Sequence, residues 1–166
     1  MADDFRSAAE ALLAACRAKK LTLATAESCT GGMIAAALTD IAGSSDVVER
    51  GFVTYSNAAK TELLGVPAAL IAAHGAVSAE VAAAMAEGAL AHAPVDLAVS
   101  VTGIAGPGGA TPGKPVGLVY FGLAERGGAA KTERHVFPGD RASVRHAAVE
   151  RALALLATAA SAGNHG

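Results

Sequence analysis

Short apolar runs alternate with helix-forming segments along this 166-residue chain, and that alternation limits the fold more than any other feature. Residues 21–25, 47–55 and 95–102 read as strands, each short and each bounded by a turn signal such as Pro94 or Gly103. Helices are expected between and around them. Residues 5–19 place Phe5, Ala8, Ala9, Leu12, Leu13 and Cys16 on one face. Residues 33–39, 57–64 and 67–73 form shorter helices, the second stopped by Gly65. Ser78 caps a longer helix that runs to His92. Residues 116–124 and 131–137 form a hairpin around Gly127 and Gly128, and Asp140 caps a last helix that runs to about Ala160, with 161–166 fraying. Strands separated by helices require a parallel sheet, and the hairpin adds an antiparallel strand. The expectation is a single α/β domain over 1–166, a three-layer α/β/α sandwich with a mixed, largely parallel sheet.

Composition removes several functions. Thirteen Lys and Arg stand against fifteen Asp and Glu, a net charge of -2, so no basic surface invites nucleic acid or an anionic membrane. Aromatic residues are 4% and Trp is absent, so the core must rely on Leu, Val and Ile with close Ala and Gly packing. Alanine covers little area, and a homodimer is expected to hide the remaining apolar faces. Cys16 and Cys29 cannot make a disulfide framework or a four-cysteine zinc site. His74, His92, His135, His146 and His165 show no metal-ligand spacing, so neither metal nor other cofactor is expected. The first residues carry acids where a signal peptide carries bases, and the uncharged stretch 97–113 is broken by Gly and Pro. A cytoplasmic location is the expectation.

In an open α/β sheet, ligands bind outside the carboxyl ends of the strands. Three segments gather there: 27–32, 55–60 and 103–114. Ser28 lies in a strand-to-helix turn with Gly31 and Gly32, where backbone amides suit an oxyanion or a phosphate. Ser28 or Thr30 serving only as a helix cap is the alternative. Tyr55 ends a strand, and Lys60 follows just inside a helix; a partly desolvated lysine acts as a base, whereas an ordinary one sits in solvent. The 102–115 loop has P-loop spacing from Gly108 to Lys114, but Pro115 stands where Ser or Thr must bind magnesium. No third glycine completes a dinucleotide fingerprint after Gly106 and Gly108. The loop is either a side-chain-poor wall against a ligand or purely structural. Arg141 and Arg145 share a face at the start of the last helix, either gripping a phosphate or forming a solvated edge. Cys29 is a rival nucleophile without a local histidine.

Taken together, Ala26-Glu-Ser-Cys-Thr-Gly-Gly32, Gly43-Ser-Ser45, Tyr55-Ser-Asn57 with Lys60, Leu63-Leu-Gly-Val66, Gly75-Ala-Val-Ser78, Val101 to Pro107, Lys114-Pro-Val-Gly117 and Gly139-Asp-Arg141 with Arg145 resemble the CinA C-terminal domain family over about 20–157. Ala110 replaces a usual glycine and Arg50 a usual small residue. That family contains nicotinamide-nucleotide amidohydrolases. The resemblance implies metal-independent hydrolysis of nicotinamide mononucleotide to nicotinic acid mononucleotide and ammonia. Ser28 would be the nucleophile, Lys60 its base and Tyr55 an assistant. The backbone of the turn, with Thr30, Gly31 and Gly32, would hold the oxyanion. Thr102, Gly103 and Gly106 would line the substrate, and Arg145 with Arg141 would face its phosphate. Burial and the charge of Arg145 are both expected to lower the Lys60 pKa. The alternatives are a non-catalytic nucleotide- or phosphate-binding module and a competence-related interaction module of the same fold.

Overall fold

The fold, a computed structural model, is described for residues 2–162. Five strands form one sheet: β1 (Leu23–Glu27), β2 (Val48–Val53), β3 (Leu97–Gly103), β4 (Leu118–Glu125) and β5 (Lys131–Val136), in the order β2-β1-β3-β4-β5. β1 pairs in parallel with both β2 and β3, while β4 is antiparallel to β3 and to β5. Four strands therefore share one direction and β4 alone opposes them, as the hairpin requires. Helices α1 (Ala2–Ala18), α2 (Met33–Thr39) and α6 (Arg141–Ser161) cover one face. Helices α3 (Asn57–Leu64), α4 (Ala68–His74) and α5 (Ala79–His92) cover the other. The expected three-layer sandwich with a mixed sheet is the observed one.

The two layers are built differently. On the α1/α6 side, Leu12, Leu13, Leu97, Val99, Phe121, Leu153 and Leu156 form a fully buried core of large side chains. On the α5 side the sheet presents Ala24, Ala26, Ala98 and Ser100, which let the helix approach closely. Ser100 Oγ donates to Ala82 O at 2.6 Å, and a Cβ on Gly122 would fall 2.3 Å from the same oxygen. A Cβ on Gly88 would lie 2.0 Å from Leu64 O, so α3 and α5 also touch backbone to backbone. This is how an alanine-rich chain with few aromatics brings helix and sheet into close contact.

β1 lies two residues later than its expected range of 21–25. Leu21 N closes the end of α1 on Cys16 O, and Thr22 N donates to the Asp96 side chain, so neither amide joins the ladder. All five β1 residues are buried, so an alternating pattern does not mark its ends. β3 likewise begins at Leu97 rather than residue 95, and β2 stops at Val53 rather than residue 55. Among the remaining elements, α2 and α3 match expectation and the others differ by a few residues at their ends. Of the fraying expected over 161–166, residues 163–166 lie outside the described residues, whereas Ser161 is the last residue of α6.

Candidate active site

The chain passes from β1 to β2 on one side of the sheet and then to β3 on the other. Its connections part at the β1/β3 boundary, where open α/β sheets hold ligands. Ser28 sits there. Its amide donates to Val101 O of β3, and the preceding Glu27 O accepts from Thr54 N beyond β2, so both neighbours hold the strand end. The chain then turns through Gly31 (φ 57°) and Gly32 (φ 104°), left-handed conformations that favour glycine.

Lys60 reaches this point from α3. Ser56 caps that helix through its side chain on Ala59 N, which sets Lys60 in the first turn and facing inward. The lysine is 2% exposed, and its Nζ lies 3.0 Å from Ser28 Oγ and 2.9 Å from Thr54 O. Burial pushes its pKa below the usual lysine value, against a smaller opposing effect of Cys29. Arg145, expected to share in that lowering, does not contribute. A lysine amine whose charged form burial disfavours, in contact with a serine hydroxyl, is an arrangement that can serve as nucleophile and base. The Cys29 thiol is buried and pushed up to about 11, the opposite of what a thiolate nucleophile needs.

The two arginines have different surroundings. Arg145 is spent on the turn: Nε donates to Cys29 O at 3.1 Å and Nη2 to Thr30 O at 3.3 Å. Arg141 is exposed and bridges the segments that follow β3 and β2, donating to Gly106 O at 2.8 Å and to Tyr55 Oη at 2.9 Å. The hydroxyl of Tyr55, whose side chain is largely in solvent, thus meets Arg141 rather than Ser28 or Lys60. Thr102 is buried and donates to Ala76 O, tying the end of β3 to the entry of α5. At Gly103 a Cβ would meet Val119 and Leu118 O, and at Gly106 it would meet Val116, so close packing accounts for both glycines. Lys114 anchors the same loop on His74 O at 2.6 Å.

In the turn itself, neither Ser28 nor Thr30 is the helix cap. Gly32 occupies the cap position without a side chain, and the Glu27 carboxylate accepts from Ile34 N, Ala35 N and Thr30 Oγ1. Sequence reading gave Glu27 no role, because a fully buried carboxylate five residues before a cap position leaves no pattern. The Gly31 amide is taken by Ser28 O. Among the described residues, the amides of Cys29, Thr30 and Gly32 meet no acceptor from another residue. No group of three metal-binding side chains occurs among the described residues.

A mixed-sheet α/β domain with a buried serine–lysine pair at its switch point defines the class. The chain belongs to the CinA C-terminal domain family, whose model matches residues 5–160 and so includes α1, beyond the motif-bearing range. A "CinA-like protein" of Akkermansia muciniphila is 56% identical over 81% of this chain and 32% of its own length. One of Mycolicibacterium vanbaalenii is 57% identical over 86% and 34%. The chain thus spans about a third of the length of such relatives. "Nicotinamide-nucleotide amidohydrolase PncC" of Escherichia coli is 53% identical over 86% of both chains. Among solved structures, competence/damage inducible protein CihA from Agrobacterium tumefaciens superposes with a TM-score of 0.92 at 45% identity, covering 96% of each chain.

Proposed function

We propose that this chain is a nicotinamide-nucleotide amidohydrolase that converts nicotinamide mononucleotide to nicotinic acid mononucleotide and ammonia. The observation that carries the reading is the 3.0 Å contact between Ser28 Oγ and the buried Lys60 Nζ. Similarity to the Escherichia coli amidohydrolase over most of both chains supports the substrate.

Neutral Lys60 takes the proton of Ser28 while Thr54 O holds the amine in place. The freed Oγ attacks the carboxamide carbon. The resulting oxyanion is assigned to the turn amides of Cys29, Thr30 and Gly32, which meet no acceptor from another described residue and are donors of the kind that stabilise such intermediates. Lys60 returns its proton to the leaving nitrogen, ammonia departs, and a nicotinoyl ester remains on Ser28. Water, deprotonated by Lys60, attacks the ester, and collapse releases nicotinic acid mononucleotide and restores Ser28. No step requires a metal. Gly103, Gly106 and Thr102 supply the wall beside the substrate. The exposed Arg141 at the mouth suits the phosphate, with Tyr55 assisting by orienting it, whereas Arg145 serves the turn.

Incubating purified protein with nicotinamide mononucleotide is expected to release ammonia and nicotinic acid mononucleotide in equal amounts. Binding of the nucleotide without ammonia release would leave a non-catalytic nucleotide-binding module instead.

A further inference from the structure

Glu27 directly precedes the candidate nucleophile and takes no part in the chemistry above. It is fully buried. Its Oε1 accepts from Thr30 Oγ1 at 2.6 Å and Ile34 N at 2.9 Å, and Oε2 accepts from Ala35 N at 3.0 Å. Ordinarily the residue at the cap position would satisfy those helix amides. Here that residue is Gly32, at φ 104°, where any Cβ would be strained and would stand 3.5 Å from Val53. The cap must come from elsewhere, and Glu27 supplies it across the turn. Its own carbonyl also accepts from Thr54 N, and Thr54 O in turn holds Lys60 Nζ. On the opposite side of the turn, Arg145 takes the carbonyls of Cys29 and Thr30. The five-residue turn is thus gripped by acceptors on its hydroxyl and following amides, and by donors on its carbonyls.

We propose that Glu27 is a positioning residue for the deamidation. Acting through Thr30 and the first turn of α2, it holds the 28–32 turn so that Ser28 Oγ meets Lys60 Nζ and the remaining turn amides stay open to the oxyanion. This rests on the reading of Ser28 as nucleophile. A misplacement of about 1 Å at a reacting centre can cost about a hundredfold in rate. Glu27 touches neither the phosphate side nor the Lys60 amine, so its loss should act on the chemical step and spare substrate binding.

Glu27→Gln keeps a carbonyl oxygen for Thr30 and Ile34 but turns an amide NH2 against Ala35 N–H. The expected result is a kcat roughly 10- to 100-fold lower, with KM within about threefold and the pH midpoint of the rate unchanged. Thr30→Val removes only the hydroxyl arm and leaves both helix amides capped. It should lose less kcat, with KM and thermal midpoint near wild type, and it carries the test alone if Glu27→Gln does not fold. Wild-type kcat in Thr30→Val together with wild-type kcat in any folded Glu27→Gln overturns the proposal. So does a loss in either variant that appears in KM alone. The Ser28→Ala variant separates the two readings. If it stays active, the nucleophile assignment fails; if it is dead while Glu27→Gln is fully active, only the positioning role fails.

Discussion

At the scale of single residues, Lys60 is the most informative side chain. A fully buried lysine is rare, and among the described residues its hydrogen-bond partners are a hydroxyl and a carbonyl, with no carboxylate. Burial depresses its pKa. The catalytic consequence is that the rate should rise with pH through a midpoint below the ordinary lysine value and then level, as a pH series of kcat/KM would record. The stability consequence has a definite sign. Between the depressed folded pKa and the unfolded value near 10.5, the unfolded chain binds more protons, so stability rises with pH across that window. Below it, the buried charge costs stability. Lys60→Met should therefore melt higher than wild type at neutral pH, with the advantage shrinking as pH approaches 10.5; an advantage that grows with pH would refute the burial argument. At its partner, Ser28→Ala should lower ammonia release at least about a thousandfold. Cys29→Ser should stay within a few-fold, since a thiol pushed up to about 11 is a poor nucleophile at neutral pH. A dead Cys29→Ser beside an active Ser28→Ala would move the nucleophile to the thiol.

At the scale of elements, strand and helix order were legible because glycine, proline and capping residues punctuate the chain. Ser56, Ser78 and Asp140 all cap the helices they precede. Strand ends were less legible. Leu21 and Thr22 continue the run of β1, but Leu21 is drawn off by the end of α1 and Thr22 by Asp96, a long-range partner with no local signature. The site was legible in part for the same reason. Ser28, Lys60 and the glycine turn carry local patterns, whereas the division of labour between Arg141 and Arg145 depends on which carbonyls each meets in the folded chain. Close backbone packing is a further element-scale property, and it makes a sharp expectation. Gly88→Ala forces a Cβ to 2.0 Å from Leu64 O between α3 and α5 and should cost about 3 kcal/mol. Gly108→Ala, with nothing within 4 Å, should be nearly neutral. Urea unfolding of both variants measures the contrast, and equal stabilities would contradict the packing described.

At the scale of the whole molecule, the apolar helix faces expected to need a partner are covered by one another and by the sheet. Large exposed apolar side chains among the described residues are instead Val53, Tyr55, Leu63 and Val136, three of them at the β2 edge and α3. An open edge strand beside exposed apolar groups favours pairing of two copies. Light scattering should therefore give a dimer mass, and Leu63→Glu should shift it toward the monomer; a wild-type monomer at micromolar concentration would contradict this. The same assembly of distant segments creates the site, because Ser28 and Lys60 belong to different elements and meet only through the sheet edge. The proposed reaction turns on their pairing, and Lys60→Arg probes it. Arginine keeps the charge but cannot surrender a proton at any accessible pH. With nicotinamide mononucleotide bound, ammonia release by this variant should fall to near background at every pH. Release at most of the wild-type rate would show that Lys60 is not the base.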